Sequence, residues 1–305
     1  MSKIAKMNKI YLYIFTLLST TAFGQDSSIV YAEPVFEEDT KVENTFSSTR
    51  IINGHSVETL KKGTLEFRVE HRFGDIAGSE GGVQNFFGLD NSSDIRIAFE
   101  YGITDRLMVG LGRSKGINNP YRSLIDGIVK YRILHQEKGK MPLSMTVLGN
   151  ANVTYMKASK DISEVSNFPK FAHRMSYATS LNVARKFGKR ISLSVMPTYV
   201  WRNYVRNDEQ NGLFSLGGAF NMLLGKRINV TLEYYQNMEQ RYIENTALNS
   251  LSVAVEWLTF GHAFKVYLTN SKGFGEVQYI PSTNSNWLKG EFRLGFCISR
   301  KYSKD

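Results

Sequence analysis

The sequence predicts an all-β chain: a transmembrane, antiparallel, up-and-down β-barrel of about twelve strands, preceded by a cleaved signal peptide. Three observations carry this expectation. An export signal opens the chain. Apolar and polar residues then alternate with period two over most of its length. Short and long links alternate between the resulting strands.

The export signal comes first. Lys3, Lys6 and Lys9 precede an apolar run from Ile10 to Phe23, and Ala22 and Gly24 have the small-x-small spacing of a peptidase site. The run is about 14 residues, short of the roughly 20 that a spanning helix needs. Residues 1–24 are therefore read as a signal peptide cleaved before Gln25. Residues 25–62 follow as an acidic periplasmic extension, flexible or loosely docked, in which Glu33, Glu37, Glu38, Asp39 and Glu43 crowd together with little periodicity. Residues 63–305 are the expected barrel.

In that region Leu65, Phe67 and Val69 alternate with Glu66, Arg68 and Glu70. A helix mixes these two sets; a strand separates them onto two faces. The second strand sets Ile95, Ile97, Phe99 and Tyr101 against Asp94, Arg96 and Glu100. The third has Leu107, Val109 and Leu111 on its apolar face. The fourth sets Val129, Tyr131 and Ile133 against Asp126, Lys130 and Arg132. The fifth alternates from Leu143 to Tyr155. Further strands are expected at 175–187, 191–201, 214–224, 228–234, 251–257 and 264–268. The last sets Phe292, Leu294, Phe296 and Ile298 against Glu291 and Arg293. Pro197 sits inside the seventh and cannot donate a ladder bond, so a bulge or local break is expected there.

Links at 104–105, 136–141, 188–189, 225–226 and 260–261 are short; those at 75–91, 116–122, 157–173, 203–211, 240–249 and 272–289 are long. Short turns on one rim and long loops on the other describe an outer-membrane barrel. In lipid every backbone polar group must be paired internally, so such a sheet has to close. Phe73, Tyr101, Tyr155, Phe187, Tyr199, Trp201, Tyr234 and Trp257 keep the apolar parity, most of them near strand ends, as interfacial girdles do. A soluble sandwich or lipocalin shares the period, and periodicity alone does not separate inside-out from outside-in.

The stretch from Ser93 to Leu107, with Tyr101-Gly102-Ile103-Thr104-Asp105-Arg106 at its turn, and Asp126-Gly127 followed by Lys130-Tyr131-Arg132, resembles an uncharacterised outer-membrane β-barrel family of Gram-negative bacteria, a domain of unknown function. The resemblance covers roughly Thr49 to Tyr302. It implies fold and compartment, not mechanism. Outer-membrane lipids, and the barrel-assembly machinery during biogenesis, are the partners it implies. Such barrels usually end on an aromatic residue; here Tyr302 is followed by Ser303-Lys304-Asp305.

Candidate chemistry is sparse. His55, His71, His135, His173 and His262 show no serine and polar orienter at a recognisable spacing, and no pair has metal-ligand spacing with carboxylate support. No catalytic residue, metal or cofactor is expected, and a lone cysteine, Cys297, excludes an internal disulfide. The polar face is the remaining candidate site. Glu66, Arg68, Glu70, Arg96, Glu100, Asp126, Lys130, Arg132, Glu233, Glu256, Glu291 and Arg293 are expected to line the lumen, with Asp94 and Lys265 beside them. Their mixed signs fit either a salt-bridged, rigid interior or a constricted polar pore or binding site, and argue against strong ion selectivity.

The formal net charge of +10 suggests nucleic acid, but its distribution points elsewhere. The extension holds seven acids and four bases, whereas the short turns hold Lys138, Lys140, Arg185, Lys186, Lys189, Arg190, Lys226 and Arg227. These residues form an expected basic rim at the periplasmic face, beside phospholipid headgroups. No nucleic-acid partner is expected. Three functions stay open: passage or binding of a small polar solute through a narrow charged lumen without enzymatic activity; a structural or interaction barrel with a filled lumen, acting through loops or periplasmic partners; and a membrane hydrolase.

Overall fold

The computed structural model describes residues 40–78, 80–91, 94–116, 120–239 and 248–303. The expected signal peptide and the most acidic part of the expected extension lie outside the described residues. The twelve strands are β1 (Leu65–Asp75), β2 (Asp94–Gly102), β3 (Leu107–Lys115), β4 (Ser123–Leu134), β5 (Ser144–Thr154), β6 (Met175–Phe187), β7 (Ile191–Arg202), β8 (Gly212–Leu224), β9 (Ile228–Asn237), β10 (Ser250–Leu258), β11 (His262–Thr269) and β12 (Arg293–Tyr302). Each pairs antiparallel with its neighbours in sequence. The ring closes where β1 meets β12, with Leu65 opposite Tyr302. Closure leaves no sheet edge, so every strand has two partners. No helix among the described residues is long and apolar enough to cross a membrane.

The two faces of this wall invert the arrangement of a soluble protein. Phe99, Leu111, Val129, Leu193, Val255 and Val266 are exposed on the outside, whereas Glu66, Arg68, Glu70, Arg72, Arg96, Glu100 and Lys130 are buried inside. An apolar band this extensive is unstable against water and suits hydrocarbon. The girdle aromatics Tyr101, Tyr155, Phe187, Tyr199, Trp201, Tyr234 and Trp257 are exposed on the same outer face. This settles what alternation alone left open.

Pro197 causes no bulge. The β6–β7 pairs run from Ser180↔Thr198 to Val183↔Val195 in one register, and the β7–β8 ladder continues through Pro197↔Leu216. The missing N–H interrupts pairing toward β6 without inserting a residue. Register shifts occur instead at Arg72/Asp75 between β1 and β12 and at Arg132/Leu134 between β4 and β5.

The lumen is filled, and this corrects the expected boundary at residue 63. Residues 40–62 belong to the same compact unit as the barrel, and the chain from Thr45 to Val57 is buried apart from the half-buried Ser47. It enters at the short-turn rim. There Val42 donates to Gln136 O (2.8 Å) and Lys138 N donates to Thr40 O (2.7 Å). Asn44, with φ 54°, turns the chain inward. A hairpin follows, closed by Ile51 N–H to Gly54 O (2.8 Å) and Ser56 N–H to Thr49 O (3.0 Å). Phe46, Ile51, Ile52 and Val57 pack in one core with inward residues of the wall such as Met196, Val200, Leu213 and Tyr235. From the opposite rim the β11–β12 link folds in as a short helix, α1 (Glu276–Ser282), whose residues from Glu276 to Pro281 are buried. The burial of Phe46, Ile51 and Ile52 supplies the driving force that a solvated acidic tail lacks.

Candidate functional site

The hairpin is held mainly through its backbone. Its tip presents the N–H groups of Ile52, Asn53 and Gly54 to one carboxylate, Glu233 on β9, at 3.0, 2.8 and 3.1 Å. Converging amides of this kind form an anion nest. From β4, Lys130 Nζ donates to the carbonyls of Thr49 (2.9 Å), Ser56 (3.0 Å) and Glu58 (2.9 Å). From β11, Lys265 donates to the carbonyls of Arg50 and Ile51 and pairs with Glu256 at 3.3 Å. Burial of these charges is tolerable because each is met by a fixed dipole or an opposite charge. Thr49 Oγ1 donates to Glu100 (2.7 Å) and accepts from Arg68 (2.9 Å), which also pairs with Glu66. Gly54 lies against Tyr235 so closely that a Cβ there collides with the phenol oxygen, which is why the tip needs glycine.

The long-loop half is organised by arginines. Arg72 on β1 donates to Asn53 Oδ1 (2.5 Å), Ser271 O (2.9 Å), Gly273 O and Tyr267 Oη (3.2 Å), all neutral oxygens. Its guanidinium lies 4.5 Å from the Phe274 ring centroid and 5.5 Å from that of Tyr267. Arg202 on β7 donates to Val277 O and to Ser282 Oγ (2.8 Å) and stacks 3.9 Å over Tyr121. Arg293 pairs with Asp75 and donates to Ser285 Oγ (3.1 Å). Arg96 is neutralised on the wall by Glu70 (3.0 Å) and Asp126 (2.7 Å).

Hairpin and helix meet at mid-lumen. Arg50 reaches the Phe274 carbonyl (2.7 Å), and His55 Nε2 lies 3.9 Å from Glu276 Oε1. Neither ring nitrogen of His55 has a hydrogen bond among the described residues. Burial, then the cations Arg50, Lys130, Arg96 and Arg68, hold this imidazole well below its ordinary pKa of 6.5. Burial raises the Glu276 carboxyl, against the pull of Arg50.

The expected lumen residues are placed as follows. Glu66, Arg68, Glu70, Arg96, Glu100, Asp126, Lys130, Glu233, Glu256 and Arg293 are buried on the inner face. Arg132 is half-buried at the short-turn mouth, 3.4 Å from Glu58 of the hairpin's return arm. Glu291 is not on the wall: β12 begins at Arg293, and Glu291 accepts from Asn286 N–H (2.7 Å) in the long link. Parity was carried two residues past the strand. On the rim, Lys138, Lys140, Arg185, Lys189, Arg190 and Lys226 are exposed and Arg227 is half-exposed. Lys186 instead binds the entering chain through Glu43 O (3.1 Å) and Asn44 O (2.9 Å). His71 stacks on Phe296 on the outer face, and His173 on Tyr204 in a long link. The residues that sequence reasoning missed are Arg50, Asn53 and His55 of the hairpin, Arg72 and Arg202 of the wall, and Glu276. Asn53-Gly54, directly after the apolar Ile51-Ile52, is a turn signal that could have found the first three.

A search of curated proteins returns no match. Among solved structures the chain is similar to the NanC porin, at 9% identity over 79% of this chain and 100% of that one, with a TM-score of 0.48. It is similar to an outer membrane channel from Pseudomonas putida F1, at 13% identity over 81% and 98%, with a TM-score of 0.47. The KdgM porin gives 8%, 79%, 99% and 0.46. A family model described as a membrane bound beta barrel domain (DUF5777) matches residues 46–302, a span that begins at the hairpin and ends with β12. The chain, a closed twelve-stranded barrel with an apolar outer wall, belongs to this family of membrane-bound β-barrels.

Proposed function

We propose that the protein is an exported, non-enzymatic outer-membrane barrel that rests closed and admits a small polar solute when its N-terminal hairpin is displaced. The short-turn rim faces the periplasm in this reading and the long links face outward. One observation carries it: the hairpin seals the lumen through reversible contacts to its main chain, from Lys130, Lys265 and Glu233, and no covalent bond ties it to the wall.

A second reading is favoured by the entry path. Thr40 to Glu43 lie at the short-turn rim, bridged to the β4–β5 turn, and offer a periplasmic partner a handle on the plug. The test is conductance in planar bilayers of the full-length protein and of Gly54→Val, whose side chain collides with Tyr235. The expected result is a mostly silent full-length protein and frequent openings in the variant. An always-open full-length barrel refutes the closed resting state. Silence in both leaves the interaction barrel as the better account.

A further inference from the structure

Charge on the outer wall is confined to a few ordered positions. Along the twelve strands, the outward positions that hold Lys, Arg, Asp or Glu are Arg113 and Lys115 on β3, Arg185 on β6 and Arg300 on β12. All are basic. Arg185 and Arg300 sit singly at the short-turn end, each 5.0 Å from the centroid of a terminal ring, Phe187 and Tyr302. Arg113 and Lys115 instead occupy successive outward positions of one strand at the long-loop end, about 7 Å apart by strand geometry. Their setting is apolar: Arg113 stands between Ile97 on β2 and Ile125 on β4, and Lys115 between Ile95 and Ser123. The Arg113 guanidinium reaches to 5.4 Å from the Tyr155 ring centroid. Among the described residues neither cation forms an ion pair. Below the pair the wall is hollowed. Toward mid-strand the next outward pairs are Gly127 opposite Ala151 and Val129 opposite Gly149. A Cβ on Gly127 or Gly149 meets nothing within 4 Å. The result is a groove of about 300 Å³ bordered by Gly127, Val129, Gly149, Ala151, Tyr177 and Thr179.

We propose that Arg113 and Lys115 bind the phosphate of an external-leaflet glycolipid of the lipid A type, with one of its acyl chains lying in the Gly127–Gly149 groove. Cations on a lipid-facing wall extend to the headgroup level, where phosphate neutralises them. Charge selects the kind of phosphate. A monoester carries about −1.5 to −2 charges and three acceptor oxygens, which match one guanidinium fork and one ammonium together. A phosphodiester carries a single charge and neutralises only one of the pair. Shape supplies the second half of the site. The groove leads from the cations toward the middle of the wall, the direction an acyl chain takes from a headgroup at the rim. Because its floor is glycine on β4 and β5, a chain there touches backbone as well as the flanking Val129 and Tyr177 side chains. The single arginines at the short-turn end have no second cation beside them on the outer face of their strands.

This inference rests on the orientation given above, with the long links outward, and not on whether the lumen conducts. Native mass spectrometry of the full-length protein in detergent, titrated with lipid A or with phosphatidylglycerol, reads the binding. The expected result is saturable lipid A binding, at least about tenfold tighter than phosphatidylglycerol, since one charge-assisted contact supplies that factor. The double variant Arg113→Gln/Lys115→Gln weakens lipid A by about tenfold or more. Gly149→Leu, which fills the groove and leaves the charges, weakens it as well. Arg185→Gln leaves it unchanged. Heat-modifiable gel migration reports that each variant forms the barrel. Equal binding of the two lipids, a double variant that binds lipid A as the parent does, or an equal loss in Arg185→Gln overturns the proposal. Parental binding by Gly149→Leu overturns the groove's part in it. Labelling of Lys157→Cys, an exposed position in a long link, by an impermeant maleimide on intact cells tests the orientation separately. An unlabelled Lys157→Cys overturns the external lipid as the source, and bilayer conductance decides only the solute reading.

Discussion

Glu233→Gln tests how the hairpin is held. The carboxylate accepts three backbone N–H groups of the tip, from Ile52, Asn53 and Gly54, at 3.0, 2.8 and 3.1 Å. Hydrogen bonds to a charged group contribute about 1.5–3 kcal/mol each, against about 0.5–1.5 kcal/mol for neutral ones. Glutamine keeps one acceptor oxygen, removes the charge, and points an amide donor at a donor. The loss is about 3 kcal/mol of docking free energy, allowing for non-additivity among neighbours. At about 1.4 kcal/mol per tenfold, the undocked population rises roughly a hundredfold. Hydrogen exchange of the Ile51 and Ser56 amides reads this directly, because both bond within the hairpin and neither touches Glu233. Their exchange tracks the opening equilibrium and accelerates by the same factor, while strand amides of β7 and β8 keep parental rates. Unchanged Ile51 and Ser56 exchange in the variant refutes the idea that this carboxylate anchors the plug.

Acid also weakens docking through His55. Its docked pKa lies well below 6.5, so the undocked form binds more protons, and docking is lost as pH falls below about 6.5. The loss grows by up to about 1.4 kcal/mol per pH unit until the docked pKa is reached. Glu276, with its pKa raised when docked, works the other way: protonation relieves its burial as pH falls toward 4.5. Hairpin exchange compared between the parent and His55→Asn isolates the histidine, and a parent whose pH profile matches the variant's removes it from the account. On the outer face, Val129→Arg places a charge on an exposed position near the middle of β4. Folding into lipid vesicles loses about 2–4 kcal/mol, measured by urea titration, if that wall lies at mid-bilayer. Parental stability contradicts the assignment of this face to lipid.

The wall was legible because its signal is local. The alternation of Leu65, Phe67 and Val69 with Glu66, Arg68 and Glu70 needs no knowledge of partners, and the side each set faces follows once the sheet closes. The ends were less legible, as Glu291 shows: a strand stops where the ladder stops, and parity continues into the loop. The filling of the lumen was not legible at all from composition. The contacts that define it join Asn53 to Ser252 and Arg72 to Gly273, residues about two hundred positions apart in sequence. Acids near Asp39 gave the extension a solvated character that the next residues do not share. The Asn53-Gly54 pair and the apolar Val277, Tyr279 and Ile280 in a supposed outer loop were the local hints. The inward charges fit a salt-bridged interior or a polar pore in the sequence; in the structure Arg96 and Arg293 pair along the wall, whereas Lys130, Lys265 and Glu233 also serve the hairpin's main chain.

The occupied lumen is the central claim, and one cross-link tests it most directly. Asn53 Nδ2 lies 2.8 Å from Ser252 Oγ, which joins the hairpin tip to β10. In a Cys297→Ser background, Asn53→Cys with Ser252→Cys is oxidised in outer-membrane vesicles and followed by the gel shift of the folded barrel. The account predicts that the disulfide forms and that a bulky, membrane-impermeant maleimide does not label position 53 in the reduced, folded protein. Absence of the cross-link, together with maleimide labelling of position 53 at the rate of an exposed rim position such as Lys138→Cys, contradicts it.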